Sequence, residues 1–311
     1  GSTDNCSIAS YLASELNFDC TDIGVNQVEL TVTDPSGNSS VCTSNVEILD
    51  TESPVLTSCS ADRVVNTSPG ECSAIGIALD DPVATDNCGV VLYSNDAPGL
   101  FPLGLTTVTW TIEDGNGNST TCSSTVEVLD AEDPEITCSA DQVQSTDPGV
   151  CEAAVVVVSP AFSDNCVGAS ISNNITGTDD ASGTYPLGTT TITWTVSDAA
   201  GNTAQCTQEI GVNDDEFPQI TCSADVLQTA DADACEAMVG VIAPLISDNC
   251  AGSVLINDYN GTSDGTDSYP VGSTDVTWTV TDASGNSTTC VQVIEITDDQ
   301  LPCLLYTSDA A

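Results

Sequence analysis

The stretch YPLGTTTITWTVSDAAGNTAQC, residues 185–206, decides the fold of this chain. Apolar residues alternate with threonine along residues 189–196, which is the period-two pattern of a half-buried strand. Asp198 to Asn202 then form a turn signal, with a glycine that can adopt positive φ. The stretch therefore predicts a β-hairpin. We interpret Trp194 as a core residue rather than a functional aromatic, because its neighbours alternate in the same way.

The same landmarks recur three times along the chain, after the tail of a fourth copy. Each copy runs from an acidic, proline-containing junction through a cysteine, a second cysteine, Asp-Asn-Cys, Phe/Tyr-Pro-x-Gly, tryptophan and Gly-Asn to a last cysteine. Repetition at this period predicts an array of small domains. The predicted domains are a partial repeat at 1–49, repeats 1, 2 and 3 at 50–129, 130–213 and 214–297, and the start of a next repeat within 298–311.

Each copy is interpreted as β-structure. Short alternating runs, such as Thr125–Leu129, lie between clusters of Asp, Asn, Gly and Pro, and no stretch has a helical period. About seven short strands in a domain of this size favour a two-sheet sandwich. The predicted fold class is all-β: tandem immunoglobulin-like β-sandwich domains joined end to end.

Composition restricts the class of protein. The 311 residues include 16 cysteines, and domains this small often need covalent staples. Recurring cysteines predict disulfides and therefore an extracellular or cell-surface location. Zinc is disfavoured, because there is no histidine and no Cys-x-x-Cys pair. No segment is long and apolar enough to predict membrane insertion.

The charge balance is extreme. Asp and Glu total 47, whereas Arg63 is the one basic side chain. Nucleic acid is therefore excluded as a partner, since nothing could neutralise its phosphates. Self-repulsion of this size favours bound divalent cations. The alternative is acidity that serves solubility in salty water, where screening makes it tolerable.

The order Asp-x-Glu-x-Pro, Ile-x-Cys, Asp-Asn-Cys, Phe/Tyr-Pro-Leu/Val-Gly, Trp-Thr-Val-x-Asp-x-x-Gly-Asn and Cys resembles the hyalin repeat. The resemblance covers residues 50–299 and, in partial form, 1–49. It implies immunoglobulin-like domains of extracellular adhesive or surface proteins. The extra cysteine pair is similar to bacterial forms, especially those of Bacteroidota, and predicts a bacterial source. In the partial repeat, Phe18 to Gly24 replace Phe/Tyr-Pro-x-Gly.

Comparing the copies gives a disulfide hypothesis, although four cysteines allow three pairings. A strand at the start of the sandwich and the last strand are plausible neighbours. The hypothesis pairs Cys59 with Cys122, Cys138 with Cys206, Cys222 with Cys290, Cys72 with Cys88, Cys151 with Cys166, Cys235 with Cys250 and Cys6 with Cys20. Cys42 would lose its partner upstream.

Three acidic motifs recur with the repeat: the junction, Asp-Asn before a cysteine, and the hairpin. In an immunoglobulin-like sandwich these three positions share one end, where one repeat meets the previous one. Calcium prefers six to eight hard oxygens and tolerates irregular geometry. The candidate ligands are Asp50, Glu52, Asp86, Asn87, Asp114, Asn116, Asn118, Asp130, Glu132, Asp133, Asp164, Asn165, Asp198, Asn202, Asp214, Asp215, Glu216, Asp248, Asn249, Asp282 and Asn286. Asp34, Asn38, Asp298 and Asp299 occupy matching positions outside repeats 1 to 3.

Each acidic motif also has a purely structural explanation. The hairpin motif is a good tight turn, and for it alone we favour that explanation. Asp-Asn-Cys could be a simple Asx turn. For the junction carboxylates we favour metal, because a structural linker needs no paired acids. The prolines of the junctions keep the linkers extended.

The leading functional hypothesis is a non-catalytic structural and adhesive stalk, held by disulfides and stiffened by calcium at the junctions between neighbouring repeats. The alternative is a glycan- or protein-binding module, with Tyr93 and Tyr259 as candidate contacts. Few aromatics favour the stalk. Catalysis is not expected, because histidine and lysine are absent and the carboxylate pairs recur at junctions rather than in a cleft. The ligand adhered to is left open.

Both ends predict a fragment of a longer protein. The chain begins in the middle of a repeat, and residues 303–311 replace the strand expected there. Those residues resemble a translated sequencing adapter and are treated as an artefact.

Overall fold

A computed structural model describes residues 3–300 of the chain, with the side chains of Val90 and Val91 excepted. This part consists of β-strands and one 3-10 turn at Cys20–Asp22. It confirms the predicted class of tandem immunoglobulin-like β-sandwiches. None of its helices has the length and apolar character needed to cross a bilayer. Residues 303–311, predicted to be an artefact, lie outside the described range.

The strands of the partial repeat are β1 (Ser10–Ala13), β2 (Gly24–Thr33) and β3 (Ser39–Ile48). They form a single antiparallel sheet with the order β1-β2-β3.

Repeats 1 to 3 each contain eight strands at equivalent places. In repeat 1 these are β4 (Val55–Ser58), β5 (Arg63–Asn66), β6 (Ser73–Ile75), β7 (Val83–Thr85), β8 (Val90–Asn95), β9 (Leu100–Pro102), β10 (Gly104–Asp114) and β11 (Ser119–Leu129). In repeat 2 they are β12 (Glu135–Thr137), β13 (Gln142–Ser145), β14 (Glu152–Val155), β15 (Ala161–Ser163), β16 (Ser170–Asn173), β17 (Gly183–Pro186), β18 (Gly188–Ser197) and β19 (Thr203–Asn213). In repeat 3 they are β20 (Gln219–Thr221), β21 (Val226–Thr229), β22 (Glu236–Val239), β23 (Leu245–Ser247), β24 (Val254–Asn257), β25 (Asp267–Pro270), β26 (Gly272–Thr281) and β27 (Ser287–Thr297).

The strands of a repeat form one four-stranded sheet and two two-stranded sheets. In repeat 2 the large sheet has the order β13-β19-β18-β16, with β13 parallel to β19, while β12 pairs with β15 and β14 with β17. Repeats 1 and 3 repeat this topology. The hairpin β18–β19 contains the alternating residues 189–196 and the turn from Asp198 to Asn202, and Trp194 lies opposite Cys206 in its register. The hairpin prediction is confirmed.

The tryptophans lie in the cores, as predicted. Trp110, Trp194 and Trp278 are at most 2% exposed, and each belongs to the buried apolar cluster of its own repeat. In repeats 2 and 3 the indole N–H donates to Gln208 and Gln292, at 3.2 and 3.1 Å. The polar tip of the ring is thus satisfied inside the core, which a buried indole requires.

Repeat 1 lacks this partner, which gives a stability prediction. Ser124 occupies the place of Gln208, and both its hydroxyl and the indole N–H of Trp110 are buried without a hydrogen-bond partner. Ser124→Gln restores the acceptor, and we expect it to stabilise repeat 1 by about 1 kcal/mol. Denaturant unfolding would measure this. The neighbouring, exposed Ser123→Gln is the control, and an equal gain from both would contradict the explanation.

The chain divides into two compact units. Within the described range, unit 1 comprises residues 3–133, 164–168 and 198–202, and contains the core of repeat 1. Unit 2 comprises residues 134–163, 169–197 and 203–300, and contains the cores of repeats 2 and 3.

Three disulfides lie within repeats and match the sequence hypothesis. They are Cys59–Cys122, Cys138–Cys206 and Cys222–Cys290. Each joins the segment after the first strand to the last strand of the same sandwich, and each packs against its core.

The other predicted pairings are wrong, because these disulfides connect successive repeats. The structure forms Cys20–Cys88, Cys72–Cys166 and Cys151–Cys250, and it leaves Cys6, Cys42 and Cys235 free. The predicted bonds Cys72–Cys88, Cys151–Cys166, Cys235–Cys250 and Cys6–Cys20 are therefore absent from residues 3–300.

The physical reason is visible in repeat 1. The amide of Asn87, beside Cys88, is 3.4 Å from Asp50 at the start of the repeat. The loop of Cys72 instead contacts Glu132, which follows the end of the repeat. A disulfide needs Cα atoms about 4.4–6.8 Å apart, and Cys72 meets this condition with Cys166, at 4.8 Å.

Candidate metal centres

Three triads of aspartates recur, one for each full repeat. Each triad takes one aspartate from the junction before the first strand, one from the Asp-Asn-Cys loop and one from the hairpin. Within a triad, one carboxylate oxygen of each residue lies within 4.8 Å of the others. The triads are Asp50, Asp86 and Asp114; Asp130, Asp164 and Asp198; and Asp214, Asp248 and Asp282. The structure thus brings the three predicted motifs together.

The hairpin aspartate is held by its own turn. In repeat 2, Oδ1 of Asp198 accepts the backbone N–H of Gly201 and Asn202, at 2.6 and 2.8 Å. The Asn202 amide donates to Oδ2, at 2.7 Å. Burial raises the pKa of Asp198, but these hydrogen bonds outweigh it and leave the pKa below its ordinary value. The hairpin therefore presents an ionised carboxylate, and its turn chemistry is compatible with a ligand role.

The Gly-Asn asparagine also fixes the junction. The amide of Asn286 donates to the carbonyl of Asp214 at 3.0 Å, and Asn118 and Asn202 make the same contact with Asp50 and Asp130. One asparagine therefore ties the last hairpin to the segment that precedes the first strand. This contact sets the distance between two members of each triad.

The Asp-Asn-Cys loop supplies the third member and reaches the preceding repeat. In repeat 2, the N–H of Cys166 donates to Asp164 at 3.1 Å, which forms an Asx turn. The amide of Asn165 lies 3.2 Å from the carbonyl of Glu71 and 3.4 Å from Asp130. In repeat 3, Asn249 makes the same contacts with Val150 and Asp214. Sequence reasoning missed this bridging role.

Several oxygens of the triads and of the asparagines next to them in sequence are buried and have no hydrogen-bond partner in the described part of the chain. They are Oδ1 of Asp164 and Asn165, Oδ2 of Asp214, and Oδ1 of Asp248 and Asn249. Asp214 is only 5% exposed. A buried carboxylate oxygen without a partner is costly, and native structures contain few of them. These oxygens therefore have free lone pairs that a cation could use.

No cationic side chain neutralises the triads. Arg63 is the one basic residue of the sequence, and it pairs with Asp80 at 2.7 Å. Burial raises the pKa of Asp248 above its ordinary value, and the carboxylates of Asp214 and Asp282 raise it further. The third triad is thus a site of unbalanced negative charge, which a bound cation would relieve.

The structure places the other junction acids outside the triads. Oε2 of Glu132 accepts the N–H of Gly70, and Oε2 of Glu216 accepts that of Gly149, both at 2.9 Å. Asp215 accepts the hydroxyl of Ser145. Glu52 and Asp133 are exposed, while the amides of Asn87 and Asn116 donate to Asp50.

Glu132 tests whether these acids are ligands or hydrogen-bond acceptors. Glu132→Gln retains an acceptor for Gly70, so we expect stability and metal affinity close to those of the parent. Glu132→Ala removes it and should cost about 1 kcal/mol. Chemical denaturation and calcium titration would measure both effects, with the exposed Glu127→Gln as control. A loss of calcium affinity in Glu132→Gln would instead make Glu132 a ligand.

Comparison with protein families identifies the repeats. The profile of the HYR domain matches residues 49–128, 129–212 and 213–296. The chain belongs to the HYR domain family. The HYR repeats therefore account for most of the sequence, and each of them contains one of the three triads.

The curated relatives are animal proteins. The chain is 32% identical to hyalin of Strongylocentrotus purpuratus over 97% of its length, and 29% identical to hyalin of Lytechinus variegatus over 88%. It covers 26% and 52% of the lengths of those two hyalins. With HYR repeats and six disulfides, the chain is a secreted or cell-surface protein.

The matches to solved structures are weak. Protocadherin gamma B2 extracellular cadherin domains 1–5 match at 12% identity and a TM-score of 0.39, over 96% of this chain and 74% of that one. Mouse cadherin-23 EC22–24 matches at 15% identity and a TM-score of 0.37, over 79% and 99%. Similarity at this level carries no argument about function.

Proposed function

We propose that this chain is a non-catalytic structural and adhesive segment of an extracellular protein, and that its HYR repeats bind calcium at the three triads. The observation that carries the proposal is the set of buried, unpartnered oxygens, Asp214 Oδ2 foremost, in clusters of three carboxylates without a basic side chain. Disulfides hold each sandwich together, and the cation offsets the charge between carboxylates.

The donor set favours calcium over other cations. Only oxygen donors converge on each triad, which argues against zinc, since zinc in structural sites prefers sulfur and nitrogen. Calcium accepts six to eight oxygens in irregular geometry, whereas magnesium demands a near-ideal octahedron. The proposed ligands are the three aspartates of each triad, together with the free carbonyl oxygens of Asn165 and Asn249 in the second and third.

Calcium at a triad would join three segments that are distant in sequence. In the third, these are the junction at Asp214, the loop at Asp248 and the hairpin at Asp282. The loop is also covalently bonded to the preceding repeat through Cys250. A cation there would restrain the junction between repeats, which suits a stalk that presents other domains. We take the sequence repeats 50–129, 130–213 and 214–297 as the domains of this stalk.

The alternative, a binding module for a glycan or protein, has less support. Tyr259 is 37% exposed, but its ring stacks on Tyr269 at 4.3 Å and its hydroxyl donates to the carbonyl of Ser268. Tyr93 is 38% exposed. A tyrosine already packed and hydrogen-bonded is a poor stacking platform. We therefore assign no adhesive contact to these tyrosines and ascribe adhesion to the protein's surface as a whole.

The predicted bacterial source and the adapter origin of residues 303–311 stay sequence predictions. The curated relatives matched are animal proteins, and they give neither prediction support.

Calcium binding by the full chain tests the proposal. Isothermal titration of the metal-free protein at fixed ionic strength should give three calcium sites, with magnesium binding more weakly and less selectively. Thermal unfolding in calcium, magnesium and EDTA should follow the same order. Equal effects of calcium and magnesium at matched ionic strength would mean general screening, and would leave an acidic stalk held by disulfides alone.

A further inference from the structure

The junction aspartates of the three triads share one set of contacts. Asp50, Asp130 and Asp214 each accept two donors at Oδ1. One donor is the backbone N–H of the residue two positions later, and the other is the side-chain amide of the asparagine in the Asp-Asn-Cys loop. These contacts orient the three carboxylates alike, and the triads differ at the other oxygen, Oδ2.

In the second and third triads Oδ2 is available to a ligand. Oδ2 of Asp214 is buried and has no hydrogen-bond partner within residues 3–300. The donors that contact the carboxylate of Asp130 are the N–H of Glu132 and the amide of Asn165, and they bind its Oδ1. Carboxylate oxygens are the ligands that calcium prefers. Oδ2 is therefore the junction oxygen that a cation would use in these two triads.

In the first triad an amide already occupies this oxygen. The side chain of Asn116 donates to Oδ2 of Asp50 at 3.1 Å. Asn116 is the second residue after the hairpin aspartate, and Ala200 and Ser284 occupy that position in the other two hairpins. Alanine has no donor group, and the serine side chain is shorter than that of asparagine. The amide contact thus distinguishes repeat 1 from repeats 2 and 3.

An amide donor and a cation compete for the same carboxylate oxygen. Because both use the lone pairs of Oδ2, the Asn116 amide must leave before calcium can bind there. Asn116 is exposed, so its side chain can turn into solvent without disturbing a packed core. Its departure breaks a hydrogen bond to a charged acceptor, which is stronger than a bond between neutral groups. The first triad bears this cost on binding, and the second and third do not.

We propose that Asn116 sets the calcium affinity of the first triad: its amide holds Oδ2 of Asp50 in the calcium-free chain and leaves when the ion binds. The inference rests on the proposed calcium function and refines it. The three sites then have unequal affinities, and the first is the weakest. As the calcium concentration rises, the second and third triads fill before the first, so the junction before repeat 1 is restrained only at the higher concentrations.

Solution NMR of the full chain can follow each site by itself. The glycine of each Gly-Asn pair, at Gly117, Gly201 and Gly285, gives one backbone amide signal in each hairpin. Titrating calcium into the metal-free, ¹⁵N-labelled protein at fixed ionic strength yields one Kd from each signal. We expect the Gly117 signal to report the weakest site. Asn116→Ala should lower that Kd roughly tenfold, the change that about 1.4 kcal/mol gives, and leave the other two unchanged.

A reciprocal substitution tests the same amide in another hairpin. Ala200→Asn places the donor at the equivalent position of the second triad, and should raise the Kd reported by Gly201 by a similar factor. Asn116→Ser, which introduces the residue of repeat 3, should act like Asn116→Ala. The exposed Asn45→Ala in β3 is the control and should change none of the three values.

The outcomes separate this inference from the calcium function itself. Weaker binding at the first site in Asn116→Ala would make Asn116 a ligand through its Oδ1, and would overturn the proposal. An unchanged Kd at that site would do the same, because the amide would then offer no competition. In either case calcium-dependent shifts at all three glycines would leave the proposed function intact. The absence of a shift at every one of them would remove that function, and this inference with it.

Discussion

Replacing Asp214 by asparagine is expected to change the stability of the chain in opposite directions with and without calcium. In EDTA the substitution removes one of three neighbouring charges, and Asn retains an Oδ1 that can accept the hydrogen bonds of Glu216 and Asn249. Relief of repulsion should then stabilise repeat 3 by on the order of 1 kcal/mol. In saturating calcium the variant should be less stable than the parent, because it loses a ligand.

The size of the calcium effect follows from mass action. A ligand at one hundred times its Kd stabilises the folded state by about 2.7 kcal/mol, which for a domain of this size is roughly 10–20 °C in Tm. Calorimetry of parent and variant in EDTA and in calcium measures both signs. Asp275→Asn, an exposed residue of β26 in the same repeat, is the matched control. The same sign in both buffers would argue that the triad binds no cation.

Removing the Cys151–Cys250 bond is expected to have the largest effect on stability. The cross-link spans 99 residues, and the loop-entropy estimate for such a span is about 4.7 kcal/mol. Cys151→Ser with Cys250→Ser should therefore lower the free energy of unfolding of the oxidised chain by several kcal/mol. It should also weaken calcium binding at the third triad, since Cys250 adjoins the loop that presents Asp248.

Two measurements decide this prediction. Denaturant unfolding gives the loss of stability, with Cys42→Ser as the control because that thiol is exposed and unpaired. Peptide mapping of the parent under non-reducing conditions gives the pairing itself. A Cys151–Cys166 peptide would contradict the structure and reinstate the pairing within a repeat.

The fold and the meeting of the acidic motifs could be predicted because local pattern determines both. Alternation around Trp194 fixes which face of a strand is buried, and a sandwich brings its first junction, one loop and the last hairpin to one end. The roles of Glu132 and Glu216 could not be predicted, because a carboxylate suits a ligand and a hydrogen-bond acceptor equally well. Gln300 accepts the N–H of Asp233 as Glu132 accepts that of Gly70. A glutamine at this position was the one sequence signal for a hydrogen-bonding role, because an amide keeps the acceptor and loses the charge.

The error in the cysteine pairing has a different cause. In a repeat array, a bond within a repeat and a bond to the next repeat join the same two kinds of position. Comparing copies therefore identifies Cys72 and Cys88 as different types without saying which copy supplies the partner. The partial repeat held the clue. Its Cys20 lies between the Asp-Asn-Cys cysteine and the last cysteine, where the full repeats have no cysteine, and it bonds to Cys88 of repeat 1.

The disulfides that connect successive repeats limit how far the chain can be pulled out. Without them, the backbone from Cys20 to Cys250 could extend roughly 780 Å at about 3.4 Å per residue. With Cys20–Cys88, Cys72–Cys166 and Cys151–Cys250 intact, the covalent path runs through two backbone segments alone, 72–88 and 151–166. That path reaches roughly 100 Å. Under tension the load passes through these bonds and through strands β6, β7, β14 and β15, so the part of the chain from Cys20 to Cys250 stays a short tether even when a repeat unfolds.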